Sequence, residues 1–304
     1  MTSALDNAGH VPVLAAEVLH YLQPGRGGLF VDCTVGLGGH ARALLEAGAT
    51  RVIGLDRDPD ALAVARERLA SWTERVELVH ADYRALDEVL DGRGIPFVDG
   101  ALADLGVSSL QLDAPGRGFS FQRDEPLDMR MDRSRGGTAA DLVAQSSETE
   151  LADAIFRYGE ERYSRRIARA IVHARREAPI DTTGRLASIV RRGIPRRGYT
   201  RIDPATRTFQ ALRIWVNREL EGLDRFLEAV ARRLRAGARL VVITFHSLED
   251  RVVKHTLRAL ERGEAPGLKL LKVLTKKPVT PGDAEVRSNP RARSAKLRAA
   301  ERVS

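Results

Sequence analysis

The sequence predicts an α/β fold, a mostly parallel, Rossmann-like sheet interrupted by an all-helical insert. Three observations carry that prediction. Apolar runs at residues 29–33, 51–55, 76–81 and 98–103 alternate with helical patterns at 40–47, 59–71 and 83–90, the spacing of βαβ units. A glycine-rich turn, Gly36-Leu37-Gly38-Gly39, follows the first run. From about residue 113 to 208 only helical periodicity is found, and the strand pattern then returns at 239–245.

In chain order, His10-Val11-Pro12-Val13 precedes a short amphipathic helix at 14–22, stopped by Pro24-Gly25. The first strand ends in Asp32 and enters the glycine turn, where a side chain would block close approach of the backbone and where φ > 0 is often required. A strand, a tight turn and a helix start together form the arrangement that holds nucleotide-like cofactors. The four strands end in Asp32, Asp56, Asp82 and Asp104, spaced 24, 26 and 22 residues apart. One strand-end acid is often only a helix N-cap. Four in phase, at the strand ends that border the ligand crevice of an open α/β sheet, point to one extended ligand.

After Asp104 the chain reads as a loop leaving the sheet. Insert helices are predicted at 151–158, 163–176 and 183–192, with Asp128 and Asp132 in an ordered loop. Helices at 209–220 and 223–234, the strand at 239–245, a helix from His246 to about 261 and a further strand at 268–275 complete the sheet. The tail from Ser288 to Arg298 reads as basic and turn-rich. The predicted domains are 1–112 with 209–304, and the insert 113–208, a substrate-recognition domain.

The 304 residues are 43% hydrophobic, enough for a real core. Cys33, the single cysteine, excludes an intrachain disulfide and a cysteine-based zinc cluster; it is expected to be a small buried residue, and no metal site is expected. No apolar run approaches 18 residues, so neither a signal peptide nor a membrane span is expected and a cytoplasmic protein is. The net charge of +8 is unevenly placed: −7 over residues 1–112, +5 over 113–208, +3 over 209–266 and +7 over 267–304. A GC-rich genome would explain why 43 of the 49 basic residues are arginine, but not where they lie. An acidic first third suits a cationic ligand, and basic later parts suit a polyanion. Residues 185–207 hold seven arginines and one acid, either a solvated face or a phosphate-contacting one.

Two cofactors compete for the acidic edge. Asp56 follows Gly36 by 20 residues, as the ribose-binding acid of a dinucleotide site would. Yet the third glycine of Gly-x-Gly-x-x-Gly is missing, and a pyrophosphate gains nothing from extra carboxylates. S-adenosylmethionine, cationic at sulfur and amine, gains from them. Asp56 then suits its ribose diol, Asp82 its adenine amine and Tyr83 its ring. The fold expectation narrows to a class I S-adenosylmethionine-dependent methyltransferase. Methyl transfer from sulfonium needs chiefly an in-line nucleophile. Asp104, Ser108 and Ser109 could orient an exocyclic amine, while Asp104 could instead hold the cofactor. Phe245 could stack on a base and His246 contact substrate, or His246 could cap a helix. Arg196 and Arg197 of the insert and Arg291 and Arg293 of the tail are the candidates for substrate phosphates.

Five stretches carry a family resemblance: residues 32–40 (Asp-Cys-Thr-Val-Gly-Leu-Gly-Gly-His), 104–113 (Asp-Leu-Gly-Val-Ser-Ser-Leu-Gln-Leu-Asp), 126–132 (Pro-Leu-Asp-Met-Arg-Met-Asp), 245–251 (Phe-His-Ser-Leu-Glu-Asp-Arg) and 289–298 (Asn-Pro-Arg-Ala-Arg-Ser-Ala-Lys-Leu-Arg). With them the chain, from His10 to the tail, resembles the bacterial 16S ribosomal RNA (cytosine-N4)-methyltransferase family (ribosomal small-subunit methyltransferase H, MraW). The resemblance implies S-adenosylmethionine-dependent methylation of N4 of a decoding-centre, P-site cytidine, with 16S rRNA in the small subunit as partner and a homodimer left open. It implies cofactor contacts from Gly38, Gly39, His40, Asp56, Tyr83, Asp104 and Gln111, and does not single out Asp82. Cys33, where the family often has glycine, and Leu110, where proline is common, are the departures. An amino-methyltransferase acting on DNA would carry a Pro-Pro pair with an aromatic where this chain has Leu105-Gly106-Val107.

Overall fold

Seven strands build one sheet: β1 (Leu29–Asp32), β2 (Arg51–Asp56), β3 (Val76–His80), β4 (Val98–Asp104), β5 (Leu234–Thr244), β6 (Leu271–Val273) and β7 (Lys296–Arg302), in the order β3-β2-β1-β4-β5-β7-β6. The structure, a computed structural model, describes residues 12–195, 203–264 and 269–303. Strands β1 to β5 pair in parallel, and β7 runs antiparallel between β5 and β6. This order and polarity are those of a class I methyltransferase sheet. The strand order reverses beside β1, which pairs with β2 on one side and β4 on the other. In a doubly wound sheet the ligand crevice lies at that switch point, at the C-terminal strand ends.

Helices α1 (Ala15–Leu22), α2 (Gly39–Glu46), α3 (Pro59–Arg68) and α4 (Leu86–Asp91) precede the insert. The insert holds α5 (Ser109–Asp113), α6 (Ala139–Gln145), α7 (Glu148–Gly159), α8 (Ser164–Glu177), α9 (Thr183–Gly193) and α10 (Ala205–Asn217). After it come α11 (Leu223–Arg233), α12 (Ser247–Arg262) and α13 (Asp283–Ser288). Alternate strand residues feed two cores, as the two-residue strand period requires. Val31, Ile53 and Leu55 pack with side chains of α4, α11 and α12, and Phe30, Val52 and Leu102 with those of α1, α2 and α3. Cys33 is buried in the first of these cores, as expected.

The chain divides into two compact units, Met1–Gly106 with Leu220–Ser304, and Val107–Glu219. The insert is therefore wider than the predicted 113–208 at both ends. At its far end the reason is Asn217. Its side chain accepts the Met131 N–H and donates to the Met129 carbonyl, each at 2.8 Å, which fixes the end of α10 to the insert's own loop. Phe209, Ala211 and Leu212 of α10 lie in the insert core with Leu151 and Ile155 of α7. At the near end, the predicted loop 104–113 contains α5, started by a capping box between Ser108 and Gln111. Asp128 and Asp132 lie in a loop, where Asp128 accepts from Arg130 at 2.8 and 3.0 Å.

The tail departs most from its reading as turn. Residues 296–302 form β7, with Leu297, Ala299 and Ala300 fully buried. Its charges are held by ion pairs: Arg298 Nε to Asp250 at 2.6 Å and Glu301 to Arg239 at 2.8 Å. The strand predicted at 268–275 shortens to β6, and Leu268 lies outside the described residues.

Candidate cofactor site

β1 delivers Asp32 to the switch point and buries it completely. Thr34 then ties two strand ends together. Its N–H donates to Asp32 Oδ1 at 3.2 Å, and its hydroxyl accepts the Asp104 N–H at 2.6 Å. His40, in the first turn of α2, is 6% exposed, with Nε2 3.5 Å from Asp104 Oδ2, an ion-pair separation too long for a good hydrogen bond. Four buried atoms here have no hydrogen-bond partner: Asp32 Oδ2, Asp104 Oδ1 and both ring nitrogens of His40. Buried polar atoms are rarely left so. Four together, two of them carboxylate oxygens, fit a ligand that brings positive charge and hydrogen-bond donors.

The electrostatics agree. Burial drives the Asp32 carboxyl up to about 7, against the pull of His40 and of the Thr34 N–H. Burial pulls the His40 imidazole down, but the carboxylates of Asp104 and Asp32 outweigh it and the net shift is upward. The crevice thus holds negative charge in a poorly solvated place, which a cation would relieve.

The glycine turn is locked to β2. Gly36 and Gly38 take φ of +52° and +83°, left-handed values that favour glycine. The Gly36 N–H donates to Asp56 Oδ2 at 2.8 Å and the Asp58 N–H to Asp56 Oδ1 at 2.9 Å. Burial raises the Asp56 pKa, and these two N–H groups oppose it. A Cβ on Gly38 would lie 3.0 Å from Leu69 Cδ1, and one on Gly39 3.4 Å from Pro12. Gly38, Gly39, His40, Asp56 and Asp104 therefore gather at one end of the sheet.

Other predicted residues have different duties. Asp82, proposed for the adenine amine, caps the turn Tyr83–Ala85 and is clamped by Arg84, which donates through Nε at 2.7 Å and a terminal nitrogen at 2.6 Å. Burial would raise its pKa, yet the Arg84 hydrogen bonds bring it below the ordinary value. Tyr83 is 7% exposed, its ring 4.6 Å from that of Phe226. His246 caps α12: Nδ1 accepts the Glu249 N–H at 3.3 Å, and Nε2 lies 3.1 Å from Glu249 Oε1. Glu249 in turn accepts the Phe245 N–H at 3.0 Å, and the Phe245 ring packs on Gly106, whose φ is +109°. Of the two readings open for His246, the structure shows the cap.

In the second unit, Ser108 caps α5: its hydroxyl accepts the Gln111 N–H at 3.3 Å, while Gln111 Oε1 accepts the Ser108 N–H at 3.0 Å. Gln111 is buried and Ser109 half-buried. Arg196 and Arg197 lie outside the described residues, and Arg291 and Arg293 are exposed in the turn before β7. Several arginines of the 185–207 run are used internally. Arg185 donates to the Ala178 carbonyl, Arg191 pairs with Asp203 at 2.8 Å, and Arg207 lies 3.6 Å from Glu161.

Sequence reasoning missed Thr34 and Glu249. The second had a signal, since His246 and Glu249 stand at the N-cap and N3 spacing of a capping box. Nothing in the sequence marks the hydroxyl of Thr34 as the tie to β4.

Among known proteins, the model of a family described as the MraW methylase family matches residues 7–303. A protein of Geotalea uraniireducens named ribosomal RNA small subunit methyltransferase H is 52% identical over 307 residues, spanning 97% of this chain and 98% of its own. Its namesake from Sorangium cellulosum is 54% identical over 294 residues, 97% of this chain and 91% of its own. A solved rRNA methylase from Streptococcus thermophilus aligns over 97% of this chain and 100% of its own at 13% identity and a TM-score of 0.44, a likeness that carries no argument.

Proposed function

The chain belongs to the MraW methylase family, and from that membership we propose that it methylates the N4 amine of a decoding-centre, P-site cytidine in the 16S rRNA of the small ribosomal subunit. S-adenosylmethionine is its cofactor. The observation that supports a cationic methyl donor at this crevice is the set of four buried, unpartnered polar atoms on Asp32, His40 and Asp104. The RNA substrate is supported by the relatives, whose names specify the ribosomal small subunit. The choice of N4 is supported by the resemblance of residues 104–113.

The donor supplies an electrophilic methyl on a positively charged sulfur. This chain's residues bind and aim it. Gly38 and Gly39 allow the backbone to come close. Each Asp56 oxygen accepts one backbone hydrogen bond and keeps a lone pair for a ribose diol. The Asp32 and Asp104 carboxylates would offset the donor's cationic charge, and the family resemblance makes Tyr83 the candidate neighbour of its base. The family resemblance adds Gln111, of the second unit, as a further candidate cofactor contact.

The cytosine N4 amine is a weak nucleophile because its lone pair is delocalised into the ring. Asp104 Oδ1 would accept an N4–H hydrogen bond and aim the nitrogen lone pair; as the N–C bond forms the S–CH3 bond breaks, its electron pair stays on the sulfur of the departing S-adenosylhomocysteine, and the amine proton leaves to water. Orientation of this kind is the main lever for an in-line displacement. Ser109, in the second unit, and Phe245, in the first, are the candidates for contact with the base. Ser108 and His246 each cap a helix, α5 in the second unit and α12 in the first.

The test uses small subunits from cells that lack this protein, incubated with it and methyl-labelled S-adenosylmethionine. Label in the 16S rRNA is expected. Label absent from RNA, with cofactor binding intact, sinks the proposal.

A further inference from the structure

One surface of the insert is not used by the site above. On α8, Arg166, Arg169, His173 and Arg176 recur at intervals of three, four and three, so they share one face, and all four are exposed. At 1.5 Å per residue that line is about 15 Å long. Ile167, Ala168 and Ile171, on the opposite face, are fully buried in the insert core. The four basic residues line a groove of about 500 Å³, closed by Glu148 at the start of α7 and Gly193 at the end of α9.

The charges there are largely uncompensated. Glu148 stands 3.5 Å from Arg169, with the two side chains 44% and 76% exposed, a geometry in which an ion pair contributes little. His173 has Glu177 at 3.5 Å, again with both exposed. Among the described residues, Arg166 and Arg176 have no acidic partner. By contrast, Arg185, Arg191 and Arg207, from the arginine run that the sequence first suggested, have internal partners.

We propose that this groove is a docking site for the phosphodiester backbone of the RNA substrate, an inference that rests on the function proposed above. Guanidinium groups match phosphate oxygens in a bidentate fashion, and a basic line along one helix is the electrostatic footprint of nucleic-acid binding. The face has none of the exposed aromatic anchors on which protein interfaces depend. A membrane surface would need an apolar helix face, and that of α8 is spent in the core.

The test is a variant carrying Arg166→Gln, Arg169→Gln and Arg176→Gln, all exposed positions. Binding to protein-free 16S rRNA and to small-subunit particles is measured between about 50 and 200 mM salt. Each phosphate contact contributes roughly 0.7 to 0.9 to the slope of log K against log salt, so the slope should fall by about 2. RNA affinity should fall at least tenfold, KM for RNA should rise with kcat unchanged, and S-adenosylmethionine affinity should stay the same. The triple Arg→Lys variant should restore the slope. An unchanged slope and affinity overturns the groove. Lost particle binding with intact binding to free RNA assigns it to a ribosomal protein and overturns it equally. A wild type that binds RNA through the groove but transfers no methyl overturns the functional reading instead.

Discussion

Replacing Asp32 by asparagine should change how stability depends on pH, by an amount that the structure sets. Asp32 is fully buried, one carboxylate oxygen has no partner, and burial places its pKa near 7 against 3.8 for the ordinary group. Between those values the folded chain holds a proton that the unfolded chain has released. Folding stability therefore falls as pH rises through this window, the reverse of a salt-bridged carboxylate. About three pKa units at about 1.4 kcal/mol each is about 4 kcal/mol, of which about 3 kcal/mol falls between pH 5 and 8. The amide in the Asp32→Asn variant cannot titrate. The difference in stability, variant minus wild type, should therefore grow with pH by about 3 kcal/mol across that range and level off near pH 8. Denaturant unfolding at each pH gives the difference, in which titrating groups remote from Asp32 cancel; His40, which Asp32 helps to raise, stays coupled to it. Trp72 lies in the unit that holds Asp32 and Trp215 in the other, so a Trp215→Phe background makes emission report on the right unit. A difference that is flat from pH 5 to 8, or that shrinks, would refute the account of Asp32 as an acid charged at a cost until a cation arrives.

Three further outcomes are expected. Asp104→Asn should lower methyl transfer to small-subunit RNA by at least about a hundredfold, comparable to loss of a preorganised electrostatic group, as read by label incorporation; full activity would remove Asp104 from the reacting set. Gly38→Ala, at φ +83° and against Leu69, should cost about 1 to 3 kcal/mol and weaken cofactor binding, as measured by thermal melting and calorimetry. Arg298→Met should cost about 1 to 3 kcal/mol, because Asp250 loses its two-point partner and keeps only Lys296 at 3.6 Å. Burial alone would raise the Asp250 pKa, but Arg298 brings it below the ordinary value. Wild-type stability should thus decline as pH falls into the carboxylate range, and this component should be smaller in the variant's acid-unfolding curve, where Lys296 alone still faces Asp250.

Much of the first unit was legible because its strands are near-continuous apolar runs that end in acid, and because Gly36 and Gly38 are required by φ. The phase of those acids pointed to the C-terminal strand ends, where Asp32, Asp56 and Asp104 lie. It could not separate Asp56, which holds the glycine turn, from Asp82, which Arg84 clamps two residues later; both look alike as strand-end aspartates. β7 was hidden because Lys296, Arg298, Glu301 and Arg302 break its pattern, and only Asp250 and Arg239, distant in sequence, make those charges tolerable inside a sheet. The insert boundary was hidden for a related reason. α10 and α11 are both amphipathic, and the choice between units depends on Asn217 reaching Met129 and Met131. Among the arginines, sequence density favoured 185–207, whereas exposure without a partner favours α8, and partners are a property of the fold.

The central claim, that this crevice directs a methyl group to an exocyclic cytosine amine, is tested most directly by nucleoside mass spectrometry. Small-subunit RNA treated with the protein and S-adenosylmethionine should yield N4-methylcytidine at one decoding-centre position, and untreated RNA should not. Methyl on a ring carbon, on ribose or on another base would contradict it.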